Sequence, residues 1–176
     1  MLPNAELSVP TAEDIELVEL AREVIDANTD AGPDEDGAHT MGAAVRDADG
    51  RMFAGVNLFH FTGGPCAELV ALGAARAQGG REITTIVAVG NHGRGVVGPC
   101  GRDRQVLFDY YPGIRVLLPT AEGVRVATIE TLMPFAASWT MEGGTQRFDE
   151  ERFRCRPAES IEVPLCVRDD EAHCGD

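Results

Sequence analysis

A three-layer α-β-α fold, with a central mixed sheet between helices, is the α/β fold class that this chain of 176 residues predicts. Two observations lead there. Segments with helical apolar spacing alternate with short β-branched segments, in the order α-β-β-α-β-α-β with one more strand after them. The segment EITTIVAVG is apolar at most positions, as expected of a strand covered on both faces.

Residues 11–28 (TAEDIELVELAREVIDAN) predict an opening helix. Thr11 and Asp14 have the spacing of a capping box, and Ile15, Leu17, Val18, Leu20, Val24 and Ile25 supply an apolar face. TDAGPDEDGAHT has the composition of a loop. MGAAVRDADGRMFAGVN predicts a β-hairpin that turns at Asp49-Gly50. CAELVALGAARAQGG predicts an Ala- and Leu-rich helix closed by Gly79-Gly80. After the buried strand, GPCGRDRQVLFDYY starts another helix and GIRVLLPT another strand. VRVATIETLMPFAASW adds a strand and a short turn. Residues 1–143 therefore form the predicted domain, and the charged, Pro-broken residues 144–176 an extension.

Composition narrows the function. The chain carries 29 acidic and 15 basic residues, a formal net charge of −14 that disfavours nucleic acid or an anionic membrane as partner. A small neutral or cationic molecule fits better. The basic residues are all Arg, so Schiff-base and P-loop lysine chemistry are excluded. No apolar run is long enough to span a bilayer, and the acidic N-terminal stretch does not read as a secretion signal. Five cysteines without a compact spacing framework predict reduced thiols in a cytoplasmic protein.

The residues that carry chemistry lie in Pro65-Cys66-Ala67-Glu68 and in Pro99-Cys100-Gly101-Arg102-Asp103-Arg104-Gln105. Each segment places a thiol at a predicted helix start, where free N–H groups favour the thiolate. Two thiolates plus a third ligand one turn along would hold Zn²⁺ with one open position, and Cys100 and Asp103 share a helix face. Glu68, two residues beyond Cys66, stands where a carboxylate can shuttle protons from a bound water.

These motifs resemble the zinc-dependent cytidine deaminase superfamily, and within it the blasticidin S-type deaminases. The resemblance runs from about Met41 to Trp139. It is carried by Asp49-Gly50-Arg51, Gly55-Val56-Asn57, the run His60 to Leu69, Pro99-Cys100-Gly101-Arg102 and Arg104-Gln105-Val106-Leu107. It implies a cytidine deaminase-like fold and a homotetramer whose subunits complete one another's pockets, with the Ala-rich face of residues 67–77 the candidate contact. It implies Zn²⁺ on Cys66 and Cys100, and zinc-bound hydroxide attacking C4 of a cytosine nucleoside. Glu68 would deliver protons to N3 and the departing amine. It places Phe53 against the base, Asn57 on a sugar hydroxyl, and the backbone of Ala67 towards the base. Arg104 would donate to a ligand thiolate, and Trp139 would line the substrate mouth.

Two departures matter. The chain reads Asn57-Leu58-Phe59 where ordinary cytidine deaminases have Asn-x-Glu, which favours a modified nucleoside over plain cytidine. Asp103 stands where the family has its third zinc cysteine. A carboxylate keeps the ligand charge and roughly the reach, so zinc ligation by Asp103 is expected. The alternative is a metal-poor, catalytically altered or inactive nucleoside-binding relative. Cys155, Cys166, His173 and Cys174 match no metal-site spacing, and His92 reads as a loop residue.

Overall fold

The structure is a computed structural model, and it describes residues 7–137. Trp139 and the extension beyond 143 lie outside the described residues. The elements are α1 (Ala12–Asn28), β1 (Met41–Asp47), β2 (Met52–Val56), α2 (Ala67–Ala77), β3 (Ile83–Gly90), β4 (Gly95–Val97), α3 (Gly101–Tyr110), β5 (Arg115–Thr120), β6 (Gly123–Thr128) and α4 (Ile129–Leu132).

The sheet runs β2-β1-β3-β5-β6 and is mixed: β3 and β5 are parallel and the other pairs antiparallel. β1 occupies one edge of β3 along its whole length. On the other edge, β5 pairs at Thr85 and Ile86 and β4 at Ala88 to Gly90. The short β4 thus holds the C-terminal end of β3 and delivers the chain to Pro99-Cys100.

Helices cover both faces. Leu17, Ala21 and Ile25 of α1 pack with Ala44, Val87, Val89, Leu117 and Val126 on one side. On the other, Ala67, Ala71, Leu72 and Ala75 of α2 and Leu107 of α3 pack with Ala43, Val45, Ile86, Ala88 and Val116. The alternation of Ala43 and Ala44 between clusters is the period of two expected of a strand between two cores.

The capping box forms as the sequence predicts: Thr11 N donates to Asp14 at 2.8 Å and Asp14 N to the Thr11 hydroxyl at 3.2 Å. α2 lies unusually close to the sheet. A Cβ on Gly55 would sit 2.6 Å from the Ala71 nitrogen, so only glycine admits this approach. The same packing narrows one expectation. Ala67, Ala71 and Ala75 are fully buried against the sheet, so this part of the Ala-rich face is core, and of the small residues in α2 Gly73, Ala74 and Ala77 keep some exposure. β4 is absent from the sequence reading, because three residues in the Gly-rich run 90–98 carry no periodicity of their own. Their pairing with β3 is made by tertiary hydrogen bonds.

Candidate active site

Cys66 is the residue immediately before α2, and Cys100 the residue immediately before α3. The extended backbone of each (ψ 158° and 170°) ends a loop and starts a helix, and neither side chain caps its helix. The two helices lie on the same face of the sheet with their N-termini together, so the thiols meet: the Sγ atoms are 3.8 Å apart. Asp103, in the first turn of α3, brings its carboxylate to the same point, where Oδ2 accepts from the Cys100 thiol at 3.3 Å. The three ligand atoms lie within 4.8 Å of one another.

This donor set fits a metal. Two sulfurs on a tetrahedral zinc with bonds of about 2.3 Å stand roughly 3.8 Å apart, the spacing found here. Asp103 supplies a further sign. It is fully buried, and its Oδ1 has no hydrogen-bond partner among the described residues. A buried carboxylate oxygen with nothing bound to it is costly, and a cation at this point would satisfy it.

Glu68 lies one helical position past Ala67 and is only 7% exposed. Burial, and secondarily the charge of Asp103, push its carboxyl up to about 7. Burial, Asp103 and Cys100 likewise push the Cys66 thiol up to about 12, against the opposing pull of Arg102. Glu68, Ala67, Cys66, Cys100 and Asp103 all line one cavity of about 390 Å³.

The cavity wall is a pinched loop. Leu58 N donates to Pro65 O at 3.1 Å, closing residues 58–65 on themselves. A Cβ on Gly64 would lie 1.6 Å from Leu58 O, so no other residue fits that closure. Phe59 and His60 of this loop line the cavity, and Phe59 is 70% exposed.

Over 131 residues the chain is 35% identical to blasticidin-S deaminase of Bacillus cereus, a match that spans 69% of this chain and 90% of that protein. The chain belongs to the cytidine deaminase superfamily. A cytidine deaminase of Halalkalibacterium halodurans is 34% identical over 100 residues, covering 54% of this chain and 75% of the relative. Among solved structures, cytidine deaminase from Mycobacterium leprae superposes with a TM-score of 0.57 at 28% identity, covering 71% of this chain and 99% of that one. The Burkholderia pseudomallei cytidine deaminase gives 0.56 at 32% identity, covering 72% and 99%. No protein-family model matches the chain.

Against this superfamily frame, the structure distributes the remaining sequence-selected residues unevenly. Phe53 is a correction. It is 7% exposed in the core beneath α2, with the Arg51 guanidinium 5.5 Å from its ring centroid, and it does not line the cavity. Phe53 lies four residues before Asn57, roughly 13 Å along an extended chain, and its ring abuts Gly80 beyond the far end of α2. Asn57 does line the cavity, but its amide is engaged in the fold. Oδ1 accepts from Thr40 N and Met41 N at 2.8 Å each, and Nδ2 donates to Ala38 O at 3.2 Å. Its present partners are thus backbone groups at the entrance to β1.

Arg104 is also placed differently. Its Nε donates to Pro99 O at 2.9 Å. The guanidinium that reaches a ligand sulfur is that of Arg102, whose Nη2 donates to Gly64 O at 3.0 Å and stands 3.6 Å from Cys66 Sγ. Arg102 ties the cavity loop to the cysteine. Its place between Cys100 and Asp103 was the only signal in the sequence, and choosing between two arginines two residues apart required the helix phase.

Proposed function

We propose that the protein catalyses the zinc-dependent hydrolytic deamination of a cytosine nucleoside, or of a cytosine-containing nucleoside antibiotic of the blasticidin S type, with release of ammonia. The observation that carries this reading is the meeting of Glu68 with the Cys66, Cys100 and Asp103 donor set in one cavity. The deaminase relatives support it.

Cys66, Cys100 and Asp103 would hold the metal. Zinc there would supply a nucleophile for C4 of the base by lowering the pKa of a water to about 7. Glu68 takes a proton from the attacking water, passes it to N3, and carries the second to the departing amine. The low exposure of Glu68 keeps bulk water from competing for these transfers. Ala67 offers its backbone to the base. Arg102 holds Cys66 and the loop at Gly64 in one arrangement.

Phe59 at the mouth leaves a ribose hydroxyl without the charged partner of the Asn-x-Glu pattern. Such a partner is worth about 1.5–3 kcal/mol, so a cationic nucleoside should show higher kcat/KM than cytidine, helped by the −14 charge. A homotetramer is the proposed assembly, supported by the outward-facing Phe59, Phe61 and Phe135, 70%, 89% and 95% exposed. A reducing cytoplasm would keep both thiols available. No helix among the described residues is long and apolar enough to cross a membrane.

The test is turnover of cytidine, deoxycytidine, cytosine and blasticidin S, followed by the ultraviolet change as the ring loses its amine. Glu68→Gln should retain zinc and lower kcat by about 10²–10⁴-fold or more. Activity within a few-fold of wild type would remove Glu68 from its role, and turnover of none of the four would overturn the reading.

A further inference from the structure

We infer that Asp103 turns this centre towards harder divalent ions, gripped by both carboxylate oxygens, and against soft ions such as Cd²⁺. The inference rests on the metal-binding reading above and deepens it by naming the class of ion.

The donor set is the first observation. Two sulfurs and one carboxylate converge, and a carboxylate oxygen prefers harder ions than a thiolate does. The second is the state of the two oxygens. Oδ2 accepts from the Cys100 thiol, while Oδ1 is buried and has no partner among the described residues. An ion held through Oδ2 alone would leave Oδ1 as bare as before. An ion held through both would satisfy the residue, giving two sulfur and two oxygen donors from the protein.

The described residues offer Oδ1 no substitute. The two arginines that flank Asp103 in sequence are committed elsewhere, Arg102 to Gly64 O and Cys66 Sγ, and Arg104 to Pro99 O. Their positive charge is spent on the loop and the backbone. Filling the carboxylate is left to whatever binds at the cysteines.

The experiment uses the full chain stripped with a chelator, as wild type, Asp103→Cys and Asp103→Asn, each checked for its fold by circular dichroism. Each protein is equilibrated with equimolar Zn²⁺ and Cd²⁺, and the bound metals are measured by elemental analysis. The bound Zn:Cd ratio of wild type should exceed that of Asp103→Cys by at least about tenfold. Loaded with Co²⁺ alone, wild type should show a sulfur-to-cobalt absorption about two-thirds that of Asp103→Cys, as two thiolates against three. Its visible ligand-field bands should be weaker than those of Asp103→Cys, as expected of five donors, the four from the protein and a water. Asp103→Asn keeps the shape but not the paired anionic oxygens, and should retain far less of each ion than wild type.

Equal Zn:Cd ratios in wild type and Asp103→Cys would overturn the inference. So would a cobalt spectrum unchanged by Asp103→Asn. Either result, with metal still bound, leaves the metal-binding reading standing. Failure of both wild type and Asp103→Cys to take up any ion would overturn both.

Discussion

Asp14 and Asp103 are the same residue type, both almost fully buried, one on each face of the sheet, and the fold treats them in opposite ways. On the α1 face every lone pair of Asp14 that matters is used. Its oxygens accept from Arg115 at 2.6 and 2.9 Å and from Thr11 N at 2.8 Å. Burial acts to raise its pKa, but the hydrogen bonds and charge of Arg115, together with Thr11, hold it below the usual carboxylate value of 3.8. On the α2/α3 face Asp103 meets two cysteines and a raised Glu68, and one oxygen has no partner among the described residues. A fold that can pair a buried carboxylate fully, and does so on one face, leaves the other incomplete where a ligand is to complete it.

The comparison breaks most visibly at Asp14. Asp14→Ala removes the cap and leaves the Arg115 charge without its carboxylate, with the longer bond to Thr85 Oγ1 at 3.4 Å remaining. Because Arg115 is 37% exposed, the expected loss is about 2–3 kcal/mol, below that of a fully buried pair. Urea unfolding at neutral pH measures it. The lowered pKa means that Asp14 stabilises the fold above pH 3.8 and that this contribution is lost as pH falls through its folded value. The acid limb of wild type should therefore be steeper than that of Asp14→Asn.

The site face should respond with the opposite sign. In metal-free protein the Glu68 carboxyl titrates near 7, above its ordinary 4.5. A raised carboxyl stabilises fully below 4.5, and that contribution is lost as pH rises through 7. Metal-free wild type should therefore lose up to about 3 kcal/mol relative to Glu68→Gln between these limits. Urea midpoints of the two proteins at pH 4.5 and 7.5 test this. Parallel changes would show that Glu68 is not held in a water-poor site.

The smallest effect sharpens the contrast furthest. Asp103→Ala removes a buried carboxyl group with one oxygen unpartnered among the described residues, so metal-free protein should gain roughly 1 kcal/mol. With saturating zinc the order reverses, because wild type gains binding free energy that the variant loses. Thermal melts of both proteins with chelator and with zinc give the four values needed. A loss on Asp103→Ala in the metal-free state would make Asp103 a structural residue like Asp14.

Much of this was legible along the chain. Helical spacing, the Thr11/Asp14 cap, the Asp49-Gly50 turn and the two Pro-Cys helix starts are local patterns, written in residues a few positions apart, and each predicted element forms. The pairing of Cys66 with Cys100 and the nearness of Glu68 were legible because the two motifs repeat a known arrangement. What only the tertiary structure decided are relations between distant segments. Phe53 joins the core and not the cavity because it sits at the far end of β2. Asn57 braces the entrance to β1 through Ala38, Thr40 and Met41. Arg102, and not Arg104, reaches the thiol because the turn of α3 and the closure of the 58–65 loop bring Gly64 and Cys66 to it. The three-residue β4 exists because β3 has an edge left to pair. Residue type and local spacing specify which elements form, whereas burial and the partner of each polar atom depend on how those elements pack.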